Sequence, residues 1–300
     1  MKSITPCKAI LMAAGLAQVA MAPKAQDGLV SWDVDPSQSY VRLAIPDTTL
    51  DLNGTAVTVR LRDANSNAWS DAGGRRAFLD GTIETDLNDG SSVEFLSGTH
   101  NLFALEQTLL RPNPAQFDPG AVNADNPDGQ YTGTGTALAA YGAKVRGTAL
   151  SIITFDAAYL AFRDVLFDIA SGVVPLTGGT TIAGSATNVG IASANIDADG
   201  LALPLGLGQP IPDLINQNVS LGTLTNVAGG TVTNLGGDFR KLLLTVNVPI
   251  SLDVEGIIVN GTATGQIVAF ATVPEPSTVL MATMAMLGLC WTGRRRLVRR

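Results

Sequence analysis

Apolar and polar residues alternate with a period of two along several stretches of this chain. In GTAVTVRLRD, Gly54 to Asp63, the residues Ala56, Thr58, Arg60 and Arg62 share one face, and Thr55, Val57, Val59 and Leu61 share the other. That is the pattern of a strand with one face covered. LLLTVNVPISLDVEGIIVNGTATGQIVAF, Leu242 to Phe270, carries runs of β-branched residues interrupted at Val254-Glu255-Gly256 and at Asn260-Gly261. Since Asn-Gly is a favoured hairpin dipeptide, this stretch predicts at least two antiparallel strands.

Turn pairs recur between apolar or Thr-rich runs at Asn53-Gly54, Asp80-Gly81, Asp89-Gly90, Asp128-Gly129, Asp199-Gly200 and Gly229-Gly230. Short strands separated by such pairs predict a mostly β fold: an antiparallel sandwich, barrel or folded-over sheet. RPNPAQFDPGAVNADNPDGQYTGTGT, Arg111 to Thr136, holds four prolines, so a loop or subdomain joint is expected there. One segment is ambiguous. Phe155, Tyr159, Phe162, Leu166 and Ile169 fall at helical spacing, yet they follow β-prone SIIT in β surroundings and are read as a strand pair.

The two ends differ from the body. Met1 to Ala22 begins with Lys2 and Lys8, continues with an apolar stretch from Ala9 to Met21, and closes on Ala20-Met21-Ala22. This is the pattern of a secretory signal peptide with an A-x-A cleavage site at Ala20 and Ala22. Residues 277–293 carry no formal charge and are followed by Arg294, Arg295, Arg296, Arg299 and Arg300. As a helix this run would be about 25 Å long, enough to cross a bilayer that adapts slightly, with the arginines as a cytoplasmic stop.

The domain plan is therefore a leader at 1–22, an exported β-rich body at 23–272 and a tail at 273–300. The secretory translocon and signal peptidase are the partners a leader requires. The body holds twelve basic and twenty-five acidic residues, a net charge of −13, which argues against a nucleic-acid partner. Cys7 and Cys290 both lie in the ends, so the body has neither disulfides nor thiolate chemistry.

Chemistry in the body is sparse. His100, in SGTHNLF, is the sole histidine and has no G-x-S-x-G elbow beside it. Glu84, Asp86 and Glu94 are carboxylates available for glycoside chemistry, whose geometry a sequence does not set. NIDADG, Asn195 to Gly200, places Asn195, Asp197 and Asp199 at the alternating spacing of a Ca²⁺ loop, but Gly206 stands where the closing Glu belongs, and a tight turn explains the same residues. No cofactor motif is present, and the body is read as non-catalytic.

Two family resemblances bear on function. Val273-Pro274-Glu275-Pro276-Ser277, the uncharged run and the arginine cluster together resemble the PEP-CTERM sorting signal of Gram-negative and related bacteria. That resemblance implies recognition of Pro274, Glu275 and Pro276 by an exosortase, residues 277–293 as a transmembrane helix, and an association with exopolysaccharide or biofilm matrix. The stretch Trp32-Asp33-Val34-Asp35-Pro36-Ser37-Gln38-Ser39-Tyr40-Val41 resembles the opening strand of YceI-like proteins, which implies a lipocalin-type barrel and polyisoprenoid binding. The resulting expectation is an exported cell-envelope or matrix protein, first anchored in the cytoplasmic membrane, whose body is a structural or interaction module. A lipid- or glycan-binding barrel is the alternative, and a glycan-active enzyme a third reading.

Overall fold

The computed structural model describes residues 27–273, apart from 45, 53, 64–75, 89, 111, 122–128, 134, 201–212, 219–227 and 255–256. The expected leader and membrane span both lie outside the described residues, and no described helix is long and apolar enough to cross a membrane. The chain is mostly antiparallel β.

Its first third forms β1 (Asp27–Val34), β2 (Tyr40–Ala44), β3 (Thr48–Leu52), β4 (Thr55–Asp63), β5 (Arg76–Asn88), β6 (Ser92–Phe95) and β7 (Asn101–Ala104). Short strands β8 (Thr108–Leu110), β9 (Phe117–Asp118), β10 (Gln130–Tyr131) and β11 (Ala137–Ala139) follow through the proline-rich stretch, with a single 3-10 turn at Pro114–Gln116. Long strands then dominate: β12 (Tyr141–Ala149), β13 (Ile153–Ser171), β14 (Val174–Pro175), β15 (Thr181–Gly200), β16 (Leu214–Asn218), β17 (Ala228–Gly236), β18 (Phe239–Val254) and β19 (Ile257–Thr272).

Strand pairing closes on itself. The ladder runs β5–β1–β19–β18–β17–β15–β13, and β7 then pairs with both β13 and β5. Of the sandwich, barrel and folded sheet compatible with the sequence pattern, the observed architecture is thus a barrel. β1 and β2 occupy one position in the ring, each pairing with β19 and β5. Beyond the ring, the first half of β13 carries an outer sheet of β12, β4 and β3, and β16 lies along β15.

Alternate residues fill the interior. Val30, Trp32 and Val34 on β1 face inward with Leu79, Ile83 and Leu87 on β5, and with Leu242, Leu244 and Ile267 on β18 and β19. An eight-position barrel is narrow enough for side chains to fill. Trp32 is fully buried, and its indole N–H donates to Thr85 Oγ1 at 2.8 Å, so no polar atom is stranded by burying the ring.

Several turn expectations are corrected. Gly54 and Gly90 do lie between strands and adopt positive φ, while Asn53 and Asp89 lie outside the described residues. Asn260-Gly261, however, lies inside β19, paired with Ser251 and Ile250, and the hairpin turns instead between Val254 and Ile257. Asp80-Gly81 and Gly229-Gly230 are likewise within strands. Segment 155–170 is strand and not helix, as expected, and forms one continuous strand instead of a pair. β13 runs unbroken through it, with a register shift between Arg163 and Leu166 where Asp164 has φ 50°. The helical stripe arose because residues from both faces of a bulged strand were read together: Phe162 packs on Tyr141 at 6.1 Å between ring centroids, whereas Leu166 is exposed.

Gly81 lies where β5 changes partner from β2 to β1 on one side, while it pairs with Leu102 of β7 on the other. Its φ is 113°, and a Cβ there would overlap the Asn101 carbonyl oxygen. Gly81→Ala is therefore expected to cost about 1–3 kcal/mol from backbone conformation alone, with the overlap adding to it. Gly90→Ala, also at positive φ but in open space, should cost less. Urea midpoints of the two variants check the difference.

Candidate functional site

The tail leaves the barrel at the end of β19. Phe239 pairs with Thr272, and the Val273 amide donates to the Asp238 carbonyl at 2.7 Å. Val273 is buried with the barrel core. Arg240 holds the adjoining β17–β18 turn, its Nη1 donating to the carbonyls of Gly237 at 2.8 Å and Phe239 at 3.1 Å. The folded structure thus reaches the residue before Pro274. Pro274, Glu275, Pro276 and the five terminal arginines lie outside the described residues, as do Ala20 and Ala22.

A second fastener holds the neighbouring strand. Ser39 is fully buried; its Oγ donates to the Val268 carbonyl at 3.0 Å and accepts from the Val268 amide at 2.9 Å. The Asp35–Gln38 turn presents it. There the Asp35 carboxylate accepts from the Ser37 hydroxyl at 2.6 Å, the Ser37 amide at 2.9 Å and Gln38 Nε2 at 2.5 Å. The Ser37 and Gln38 side chains together hold the Asp35 carboxyl below its ordinary value, against a small opposing effect of burial. The stretch Trp32 to Val41 is accordingly a β1–turn–β2 unit built into the barrel wall.

His100 is a structural pin. Its side chain is fully buried, Nδ1 accepts the Glu84 amide at 2.9 Å, and Nε2 donates to the Ile169 carbonyl at 2.5 Å. With both ring nitrogens occupied by backbone, the ring joins β5 to β13. Asp168 lies 3.8 Å from Nε2 and itself accepts from Ser97 Oγ at 2.5 Å and the Gly98 amide at 3.0 Å. Of the candidate carboxylates, Asp86 and Glu94 are cross-strand partners on β5 and β6, and Glu84 accepts from Ser31 Oγ at 2.6 Å. They line neighbouring strands, not opposite walls of a cleft.

Asn195, Asp197 and Asp199 are alternate residues of β15, in neither a loop nor a turn. Asp197 is 1 % exposed, and one of its oxygens takes Arg163 Nε while the other accepts the Asn216 amide at 2.8 Å. Asn195 Nδ2 donates to Asp164 at 2.9 Å. Among the described residues no group of three or more His, Cys, Asp or Glu is placed to hold a metal ion.

The sequence reading missed the polar cluster of which Asp197 is part. Arg163, 9 % exposed, also donates to the Pro112 carbonyl at 2.8 Å. Asp213 accepts the amides of Gly200 and Tyr131, each at 2.8 Å. Burial pushes the Tyr131 phenol upward, Asp197 and Asp213 add to the shift, and Arg163 opposes it. Further along β13, Asp156 binds Arg146 Nε at 2.8 Å and Lys144 Nζ at 3.3 Å. Burial alone would raise the Asp156 carboxyl, but these two cations bring it below its ordinary value. The available signal was an arginine inside an apolar run, which demands a buried acid within reach.

A family model of the PEP-CTERM protein-sorting motif matches residues 272–296. The chain carries the PEP-CTERM signal. This motif indicates an exported protein sorted by an exosortase, and proteins that carry it are anchored in a membrane before processing. The PEP-CTERM match begins at Thr272, the last residue of β19, so barrel and signal adjoin with no linker between them. No curated protein and no solved structure matches the chain.

Two outcomes follow from these geometries. Arg163→Met leaves Asp197 buried and unpaired, and should cost about 3–5 kcal/mol, most of it recovered in the Arg163→Met/Asp197→Leu double variant; urea denaturation of the three proteins measures both. Because the folded Asp35 carboxyl titrates below its ordinary 3.8, its contribution to stability is complete above that value and is lost as pH falls through the lowered one. The fall in urea midpoint between neutral and strongly acid solution should therefore be smaller in Asp35→Asn than in the natural chain.

Proposed function

We propose that the barrel is a non-catalytic structural or interaction module of the cell envelope or extracellular matrix. In this reading, residues 1–22 direct export through the secretory translocon, and signal peptidase cuts after Ala20-Met21-Ala22. Residues 277–293 then hold the body outside the cytoplasmic membrane, with Arg294, Arg295, Arg296, Arg299 and Arg300 retained inside. An exosortase recognises Pro274, Glu275 and Pro276 and releases the body towards exopolysaccharide or the outer surface.

The observation that carries this reading is the junction itself: the PEP-CTERM match opens on the final strand residue. Two prolines around one carboxylate keep the next residues extended and short of backbone donors, a form suited to an enzyme groove and unsuited to the barrel. A non-catalytic body is supported by the commitment of His100 to backbone and of Asp197 to Arg163. Ring closure is the observation that favours a lipid- or glycan-binding alternative, since small barrels can hold one ligand. Against it stand Trp32, Phe95, Leu79, Ile83 and Leu244, which occupy the interior.

Replacing Pro274, Glu275 and Pro276 with alanine should leave the full-length protein in the membrane fraction of a host that possesses an exosortase. Unchanged processing and location after fractionation would remove the basis of the assignment.

A further inference from the structure

The barrel rim at which β19 ends carries exposed apolar side chains among polar ones. β1, β19, β18 and β17 are consecutive in the ring. On β18, Leu242, Leu244 and Val246 face inward, so Phe239 faces outward, and it is 61 % exposed. Leu235, at the tip of the adjoining β17 hairpin, is 55 % exposed. On the other side, Val30, Trp32 and Val34 of β1 face inward, and Leu29 points outward at 77 % exposure. Because Asp33 pairs with Phe270, Leu29 lies past the end of β19, at the same rim as Val273. Phe270 completes the arc one step below the rim, with Lys241 Nζ 5.9 Å from its ring centroid.

We infer that this rim seats on the outer surface of the cytoplasmic membrane while the tail is anchored. The inference rests on the membrane-anchoring reading proposed above. Only Pro274, Glu275 and Pro276 separate Val273 from Ser277, the first residue of the uncharged run, and four residue steps reach at most about 14 Å. A barrel end tethered that closely meets the headgroup layer. That end presents a phenylalanine and two leucines to solvent, the types that enter the interface when they project from a surface. Leu150 and Ile152, in the β12–β13 turn, are also exposed, but they sit at the opposite end of β13 from Ser171 and have no tether to bring them to lipid. Seating of the rim would hold Glu275 at the depth where an enzyme embedded in the same membrane can reach it.

The test uses the full chain reconstituted in phosphatidylethanolamine–phosphatidylglycerol vesicles. Leu235→Cys, Phe239→Cys and Leu150→Cys are each made with Cys7→Ser and Cys290→Ser, and labelled with a fluorophore. Nitroxide lipids quench from the interfacial depth, and circular dichroism confirms that each variant is folded. In a parallel sample, native Cys290 is labelled in the Cys7→Ser chain and quenched by a deep acyl nitroxide, which reports insertion of the tail.

The expected result is quenching at 235 and 239 at least about twofold greater than at 150, as burial to interfacial depth requires. If Cys290 is quenched while 235 and 239 behave like 150, the rim does not touch lipid and only this inference falls. If Cys290 is not quenched, the anchoring reading and the inference fall together.

Discussion

The fold depends on one short ladder. Leu166 and Phe167 of β13 pair with Phe103 and Leu102 of β7, which in turn pairs with β5. Without this seam, β7 and the second half of β13 would be open edges, with unpaired amides and carbonyls exposed to any other strand. With it, the ring is closed and the apolar faces of eight strand positions meet around Trp32. The seam needs β13 to serve two sheets, because its first half is already paired with β12. The bulge between Arg163 and Leu166 allows this: with Asp164 in the left-handed region, the strand leaves the outer sheet and enters the barrel wall.

The buried charges gather at that same transition. Arg163 stands at the bulge, and Asp197 on β15 is its diagonal cross-strand neighbour. Burying such a pair gains little stability over an apolar substitute, but removing either member is costly. The effect is to disfavour a slip in register, because a one-residue shift of β13 against β15 would turn the guanidinium to the other face and leave the carboxylate alone. Asp213 extends the arrangement by accepting the amides at Gly200 and Tyr131, where strand pairing has run out.

The β class and the sorting signal were legible in the sequence, because each has a local cause. Alternation of Val and Thr needs a pleated, half-covered surface, and a Pro-Glu-Pro step before an uncharged run with terminal arginines has few other uses. Barrel closure was not legible, since it depends on pairing between β7 and β13, which are distant in sequence. Turn pairs misled wherever glycine served a different purpose. Gly81 is required where β5 changes partners, and Gly230 where a Cβ would collide with the Leu243 carbonyl oxygen. Asn260-Gly261 lost to the continuous register of β18 and β19. The alternating Asn195, Asp197 and Asp199 had the spacing of a calcium loop because a strand face has the same period as the first half of that loop, and only the position of Arg163 separates the two.

Val273 is the last described side chain of the packed interior, directly after the final strand. Every core side chain and ladder among the described residues lies on the body side of a cut beyond Val273, so such a cut would spare all of them. Without the five terminal arginines the body carries a net charge of −13, so molecules cut from that terminus would repel one another more strongly than uncut ones.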